Sequence, residues 1–243
     1  DPSSQSPMFA NPATVNGKTY AVLKNWGHTG IAYNSGKLSK APTSWKDFFD
    51  ITMGEGSGHT IVHDYQLTTI GGALCALGYS FNSVDAGELA KAEKLLIDSK
   101  PHLFAITSDY QPGMRSGDAW MSICWNGDGL QLNKDLPEMK YTLASDGGEI
   151  WSDFYCIPKD APHVDAAYAF INYLLDPKVQ VLEFESHGYA TGDTRVEALL
   201  PAETADNEIL FPAAKLMNGL EFGAANTLTD PIRAEVIARF KSA

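Results

Sequence analysis

Long apolar runs are missing from this 243-residue chain. No stretch reaches the about 18 consecutive apolar residues that a membrane-crossing helix needs, so a membrane-spanning protein is not expected. The opening, Asp1 to Ala10, has neither a basic patch nor an apolar h-region, so no signal peptide is visible. That start is compatible with a leader removed ahead of Asp1. Basic charge is scarce as well: 18 Lys and Arg stand against 30 Asp and Glu, a formal net charge of −12. Such a surface repels polyphosphate and weakly favours cations. The bases are scattered singly rather than interleaved with aromatics along a stripe, so nucleic acid is not an expected partner. Cysteine is confined to Cys75, Cys124 and Cys156, far apart, without C-x-x-C spacing, each beside apolar residues such as Leu74, Ile123 and Ile157. That pattern predicts buried free thiols rather than a disulfide framework, and it neither requires nor forbids an exported protein.

Signatures of catalysis are also lacking. There is no G-x-S-x-G elbow, no H-E-x-x-H and no cysteine-nucleophile signature, so no catalytic residue, cofactor or metal is assigned and an enzyme is not expected. Gly54, Gly56 and Gly58 faintly resemble a phosphate loop, but no Lys-Ser/Thr follows them and an ordinary loop is the better reading. His59 and His63 have a spacing that on a helix would suit a metal. The β-branched Thr60-Ile61-Val62 between them favours a strand, whose ends are about 13 Å apart and too far for one ion. One enzyme reading stays open, a cleft using His63 and Asp64 as an acid/base pair.

What is present is an ordinary globular composition, 44% hydrophobic and 20% charged, enough for one large domain or two small lobes. A Pro-, Ser- and Asn-rich loop, Asp1 to Gly17, leads into a strand at Thr19 to Leu23 and a second at Gly30 to Asn34. Ser44 is placed to cap a short helix, with Asp47 at capping-box spacing and Trp45, Phe48 and Phe49 on its apolar side. A strand at His59 to His63 precedes helices at Gln66 to Leu77, stopped by Gly78, and at Val84 to Ser99. Ala119 to Trp125 reads as a buried strand, Asn126-Gly-Asp-Gly129 as a turn, and Tyr141 to Ala144 and Phe154 to Ile157 as further strands. Asp165 to Leu175 is an amphipathic helix. Asp176-Pro177 caps and opens the next one, which ends at Gly188, and Asp230-Pro231 opens a terminal helix in the same way. Strands alternating with helices predict an α/β fold with a mainly parallel sheet.

Aromatics recur beside polar turns, at Trp26-Gly-His-Thr29, Trp125-Asn-Gly-Asp128, Trp151-Ser-Asp153 and Gly188-Tyr189. In open α/β sheets ligands lie beyond the carboxyl ends of strands, so these are candidate pocket walls. A carboxylate among indole faces suits an organic ammonium, which gains about 1–2 kcal/mol from each aromatic face and a charge-assisted hydrogen bond from the acid.

Several segments, in order, carry a resemblance. Tyr20-Ala-Val-Leu-Lys-Asn-Trp-Gly-His-Thr-Gly-Ile-Ala-Tyr-Asn34, Pro42-Thr-Ser-Trp-Lys-Asp47, Leu77-Gly-Tyr-Ser80, Trp125-Asn-Gly127, Gly148-Glu-Ile-Trp-Ser-Asp153, Ala169-Phe-Ile-Asn-Tyr-Leu-Leu-Asp-Pro177 and Gly188-Tyr189 resemble signatures of bacterial spermidine/putrescine-binding proteins. The resemblance implies the type II periplasmic-binding-protein-like fold, α/β, with two lobes joined by crossover strands that close on ligand. Crossings are then expected near Gly30, Trp151 and Pro201. Residues 1–30 and 152–200 form part of the first lobe, and residues 31–151 and 201–243 form the second. The first lobe is expected to be incomplete, lacking roughly a hundred opening residues by the usual lobe size.

The implied function is a periplasmic receptor that hands a small organic amine, a polyamine such as putrescine or spermidine, to an ABC permease. Trp125 and Trp151 match the family's aromatic walls, Asp153 the carboxylate that takes an ammonium group, Tyr189 a further aromatic, and Ser108 a polar contact. Where the family has a second pair of acids, this chain has Tyr65 and Thr68, with Asp64 just beside them. That departure leaves open an amino acid or aminobutyrate-like zwitterion, for whose carboxylate Arg115 is the nearest candidate by sequence.

Overall fold

The computed structural model describes residues 13–243, so most of the opening loop expected at 1–17 lies outside the described residues. The described chain starts with a small antiparallel ribbon, β1 (Thr14–Val15) and β2 (Lys18–Thr19). It turns through Asn16 and Gly17 at φ 51° and 73°, the left-handed pair that a tight hairpin demands. Then comes one long strand, β3 (Ala21–Asn34). The sequence predicts two strands here, separated by a polar turn at Trp26-Gly-His-Thr29, and the structure corrects this. Those residues are ladder positions: Trp26 N donates to Ala190 O at 2.9 Å, Thr29 pairs with Trp125, and Asn25, Trp26, His28 and Thr29 are all buried. Their polar side chains find partners inside the protein, which a reading of local polarity does not register.

The elements that follow are α1 (Trp45–Thr52), β4 (Thr60–Val62), α2 (Gln66–Ala76), α3 (Ala86–Ser99), β5 (Leu103–Ile106), α4 (Gln111–Ser116), β6 (Met121–Trp125), α5 (Asn126–Asp135), β7 (Met139–Thr142) and β8 (Gly148–Cys156). After them come α6 (Val164–Leu174), α7 (Pro177–His187), α8 (Thr194–Glu197), α9 (Ala202–Ala205), α10 (Ala214–Met217), β9 (Leu220–Phe222), α11 (Ala225–Thr229) and α12 (Pro231–Ser242). The cap on α1 forms as read, with Ser44 Oγ accepting from Asp47 N at 2.9 Å. The Asp47 carboxylate, though, turns to the preceding loop, taking Thr43 N, Thr43 Oγ1 and Lys40 Nζ, and these hydrogen bonds, Lys40's above all, hold it well below the usual carboxylate range.

The sheet order is β5-β4-β6-β3-β8-β9, with β7 also beside β3. Pairings of β4 with β5 and β6, and of β8 with β9, are parallel. Those of β3 with β6 and β7 are antiparallel, so the sheet is mixed rather than mainly parallel. Alternate residues feed opposite faces. Ile31 and Ile123 join Trp45, Phe48, Leu74 and Phe240 in one core, while Ala32 and Cys124 join Tyr110, Met114 and Leu132 in the other. Both faces are therefore covered, as parallel strands require.

The chain divides into two compact units: the segment through Gly27 with Trp151–Phe211, and His28–Ile150 with Pro212–Ala243. This division falls after Phe211, whose ring packs edge-on against Trp26 of the same unit at 6.4 Å. In the first unit α6 has no buried residue, and Phe170 is 62% exposed. Cys75 and Cys124 are buried as expected, but Cys156 is exposed, because it ends β8 where apolar neighbours in sequence do not become neighbours in space.

Asn126-Gly-Asp-Gly129, expected as a turn, is the first turn of α5. Trp125 is extended at its N-cap position, Asn126 Oδ1 accepts from His28 N at 3.1 Å, and Asp128 places an acid at the positive helix end. Gly129 serves close packing rather than turning: a Cβ there would stand 2.6 Å from Tyr141 Cδ2. Gly129→Ala is expected to lower unfolding stability by about 1–3 kcal/mol through this overpacking. Denaturant unfolding checks it, and a stabilised variant would show that helix propensity outweighs the clash.

Candidate functional site

In the first unit, Trp151 and Asp153 are alternate residues of β8 and project to the same side of the strand. The Trp151 ring meets Tyr189 edge-on at 4.9 Å. Tyr189 is held just past α7, which ends at Gly188 in the left-handed conformation, φ 75°, and its backbone N–H donates to His187 Nδ1 at 3.0 Å. Burial, with Lys24 adding, lowers the His187 pKa. Asn25 of β3 donates its amide to Asp153 Oδ2 at 3.3 Å. Asp153 itself is exposed, and among the described residues no Lys or Arg forms an ion pair with it. Two buried polar atoms face this group without a hydrogen-bond partner in the described protein, Asn25 Oδ1 and Trp151 Nε1.

In the second unit, β4, β5 and β6 are parallel neighbours, so their carboxyl ends open at one sheet edge. His63, Ser108 and Trp125 stand there, and α2 begins just after Tyr65. The His63 ring lies 4.7 Å from Trp125, 5.3 Å from Tyr65 and 5.4 Å from Tyr110, and Tyr65 lies 6.4 Å from Trp125. The Tyr110 hydroxyl donates to Asp128 at 2.6 Å and accepts from Trp125 N at 3.1 Å, which fixes both rings to the start of α5. Burial pushes the Tyr65 hydroxyl up to about 12, with the Glu149 carboxylate adding to the shift. Burial also lowers His63 to about 4, against the opposing pull of Asp64. Its imidazole is thus a neutral ring in this aromatic group at neutral pH. Asp64 and Ser108 are half-buried at the same edge, and Asp64 O accepts from Lys241 Nζ at 2.9 Å.

Trp151, Asp153 and Tyr189, read with Trp125 as one box, stand in the first unit, whereas Trp125 and Tyr65 stand in the second. Sequence reasoning does not single out Tyr110, which packs against Trp125, Asn25, which meets Asp153, or Glu149, which meets Thr29. Glu149 stands within the Gly148-Glu-Ile-Trp signature, and Asn25 immediately precedes Trp26, so both were visible as polar residues inside apolar strand segments.

Two compact α/β units, with aromatic and carboxylate groups at strand ends, define the class of two-lobe solute-binding proteins. The chain belongs to the bacterial extracellular solute-binding protein family, which it matches over residues 1–212. It is 29% identical over 233 residues to the spermidine/putrescine-binding periplasmic protein of Escherichia coli, covering 93% of this chain and 66% of that protein. It is 27% identical over 218 residues to the putrescine/agmatine-binding protein of Pseudomonas aeruginosa, with 83% and 59% covered. The chain thus spans somewhat less than two thirds of the length of these curated relatives. Among solved structures, the spermidine/putrescine ABC transporter substrate-binding protein of Streptococcus pneumoniae superposes with a TM-score of 0.85 at 27% identity, over 99% of this chain and 74% of that one. No described helix is long and apolar enough to cross a membrane.

Burial of neutral His63 makes folding pH-dependent. Its folded pKa of about 4 lies below the ordinary His value, so between these values the unfolded chain binds the extra proton. The stability that neutral His63 contributes is present in full above about pH 6.5 and is lost as pH falls toward 4, roughly 3 kcal/mol in all. His63→Gln should flatten the pH dependence of unfolding free energy across that window. Identical slopes in the two proteins would show that His63 titrates normally when folded.

Proposed function

We propose that the chain is the ligand-capturing part of a periplasmic receptor that takes a small organic amine, a polyamine such as putrescine or spermidine, and delivers it to an ABC permease. The observation that carries this reading is Asp153, a carboxylate without an ion-pair partner among the described residues, beside the paired Trp151 and Tyr189 rings. An alkylammonium placed there gains a charge-assisted hydrogen bond and a cation–π contact. By itself, the second unit carries a neutral aromatic group, Tyr65, Trp125 and His63, of a kind that suits a methylene chain. The net charge of −12 favours the approach of cations. The family and the names of its relatives support transport rather than catalysis.

A zwitterionic amino acid is disfavoured by the fate of Arg115. Its guanidinium is taken by Asp135 at 2.8 Å and by Gln111 at 3.1 and 3.2 Å. It is therefore already committed to a surface ion pair rather than free for a ligand carboxylate.

Asp153→Asn should weaken putrescine binding by roughly 2–4 kcal/mol, the usual loss when one partner of a desolvated charge pair is removed. Trp151→Ala should weaken it by about 1–3 kcal/mol and leave the melting temperature of the ligand-free protein nearly unchanged. Titration calorimetry and thermal melts read both. Unchanged affinity in Asp153→Asn removes that carboxylate from the site, and a large loss of stability in Trp151→Ala would make that indole a core residue instead.

A further inference from the structure

His187, the last residue of α7, stands against the aromatic pair of the first unit. Its ring lies 5.6 Å from that of Tyr189, which in turn meets Trp151 edge-on at 4.9 Å. Gly188, left-handed at φ 75°, turns the chain back so that Tyr189 N donates to His187 Nδ1 at 3.0 Å. One residue further on, Ala190 O accepts from Trp26 N at 2.9 Å. The backbone that aims the Tyr189 ring is therefore tied on one side to β3 and on the other to a titratable side chain.

A ring nitrogen that accepts from an N–H carries no proton, so the neutral His187 has its proton on Nε2. Acid adds a second proton at Nδ1, directly in front of the Tyr189 N–H. An imidazolium only donates; the hydrogen bond is lost, two N–H groups face each other, and the ring must turn away. The same proton brings a positive charge into the surroundings of Asp153. The charged groups about the His187 ring are Lys24 of β3, Glu183 one turn earlier on α7 and Asp153 of β8, and Glu183 also takes the Tyr155 hydroxyl of β8 at 2.7 Å. Burial first, then Lys24, lower the His187 pKa against the pull of both carboxylates. The imidazole is thus neutral in the folded protein at neutral pH, and its charged form appears only on acidification below the ordinary His value of about 6.5.

We propose that His187 is a positioning residue for the Tyr189 wall and makes amine capture by the first unit depend on pH: the neutral imidazole holds the wall, and the imidazolium releases it and repels an incoming ammonium. Affinity is then full above about pH 6.5 and falls as pH drops below it. The coupling is reciprocal, so a bound ammonium makes His187 harder to protonate. The inference rests on the amine-capture reading proposed above.

His187→Asn is the informative variant, because Asn Oδ1 stands about where Nδ1 does and accepts from Tyr189 N without taking up a proton. Calorimetric titration with putrescine at about pH 8 and about pH 5.5, on either side of the ordinary His value, gives the ratio of the two affinities for each protein, with thermal melts to confirm folding at both. Wild type is expected to bind about fivefold or more weakly at the lower pH, the lower end of usual site-to-site coupling, and His187→Asn to show a ratio close to one. In the ligand-free wild type, the NMR shift of the Tyr189 amide should follow the His187 ring titration with the same midpoint. The same ratio in both proteins, or no pH effect in wild type, would overturn the proposal and leave amine capture standing. A Tyr189 amide blind to the His187 titration would overturn the positioning role even if the variant failed to fold. No putrescine binding by wild type at the higher pH would overturn amine capture and the pH gate with it.

Discussion

The long strand β3 is the element on which the rest depends. A strand flanked on both sides must pair its backbone groups on both edges, and its side chains must be absorbed by whatever covers each face. From this one segment Asn25 reaches Asp153, Trp26 donates its indole N–H to Thr191 O at 3.2 Å, His28 N donates to Asn126 Oδ1 at the head of α5, and Thr29 Oγ1 donates to Glu149. Within each unit the side chains are thus held by its own part of β3: Asn25 and Trp26 in the first, His28 and Thr29 in the second. A shift of one residue in β3 would exchange the faces of all these side chains at once.

Electrostatically the two units share a pattern. Their walls are kept neutral by burial: His63 loses its proton, and Tyr65 and Tyr110 keep theirs. The carboxylates Asp153 and Glu149 stand without ion-pair partners among the described residues. Neutral rings lower the local dielectric and offer π faces, which strengthens attraction between an acid and an incoming cation.

Helix boundaries were the most legible part of the sequence, because they are written in local chemistry: Ser44, Asp176-Pro177, Gly188 and Asp230-Pro231 all cap the elements read from them. The family likeness also named Trp151 and Tyr189, whose rings meet edge-on in the structure. What failed were places where a residue type had a distant reason. Gly129 looked like a turn and is a packing contact with Tyr141. Trp26-Gly-His-Thr29 looked like a loop and is strand, because its polar side chains are satisfied across the sheet. Glu149 drew no reading of its own, because its burial against Thr29 depends on β3, far away in sequence.

Cys156 differs from the other two thiols. Burial pushes Cys75 up to about 12 and raises Cys124 as well, so neither yields an accessible thiolate at neutral pH. Cys156 is exposed and ends the same strand that carries Trp151 and Asp153. A maleimide dye would thus attach at one defined position without any cysteine being engineered in or out. Such a label would sit at the end of the strand that carries the Trp151 indole and the Asp153 carboxylate.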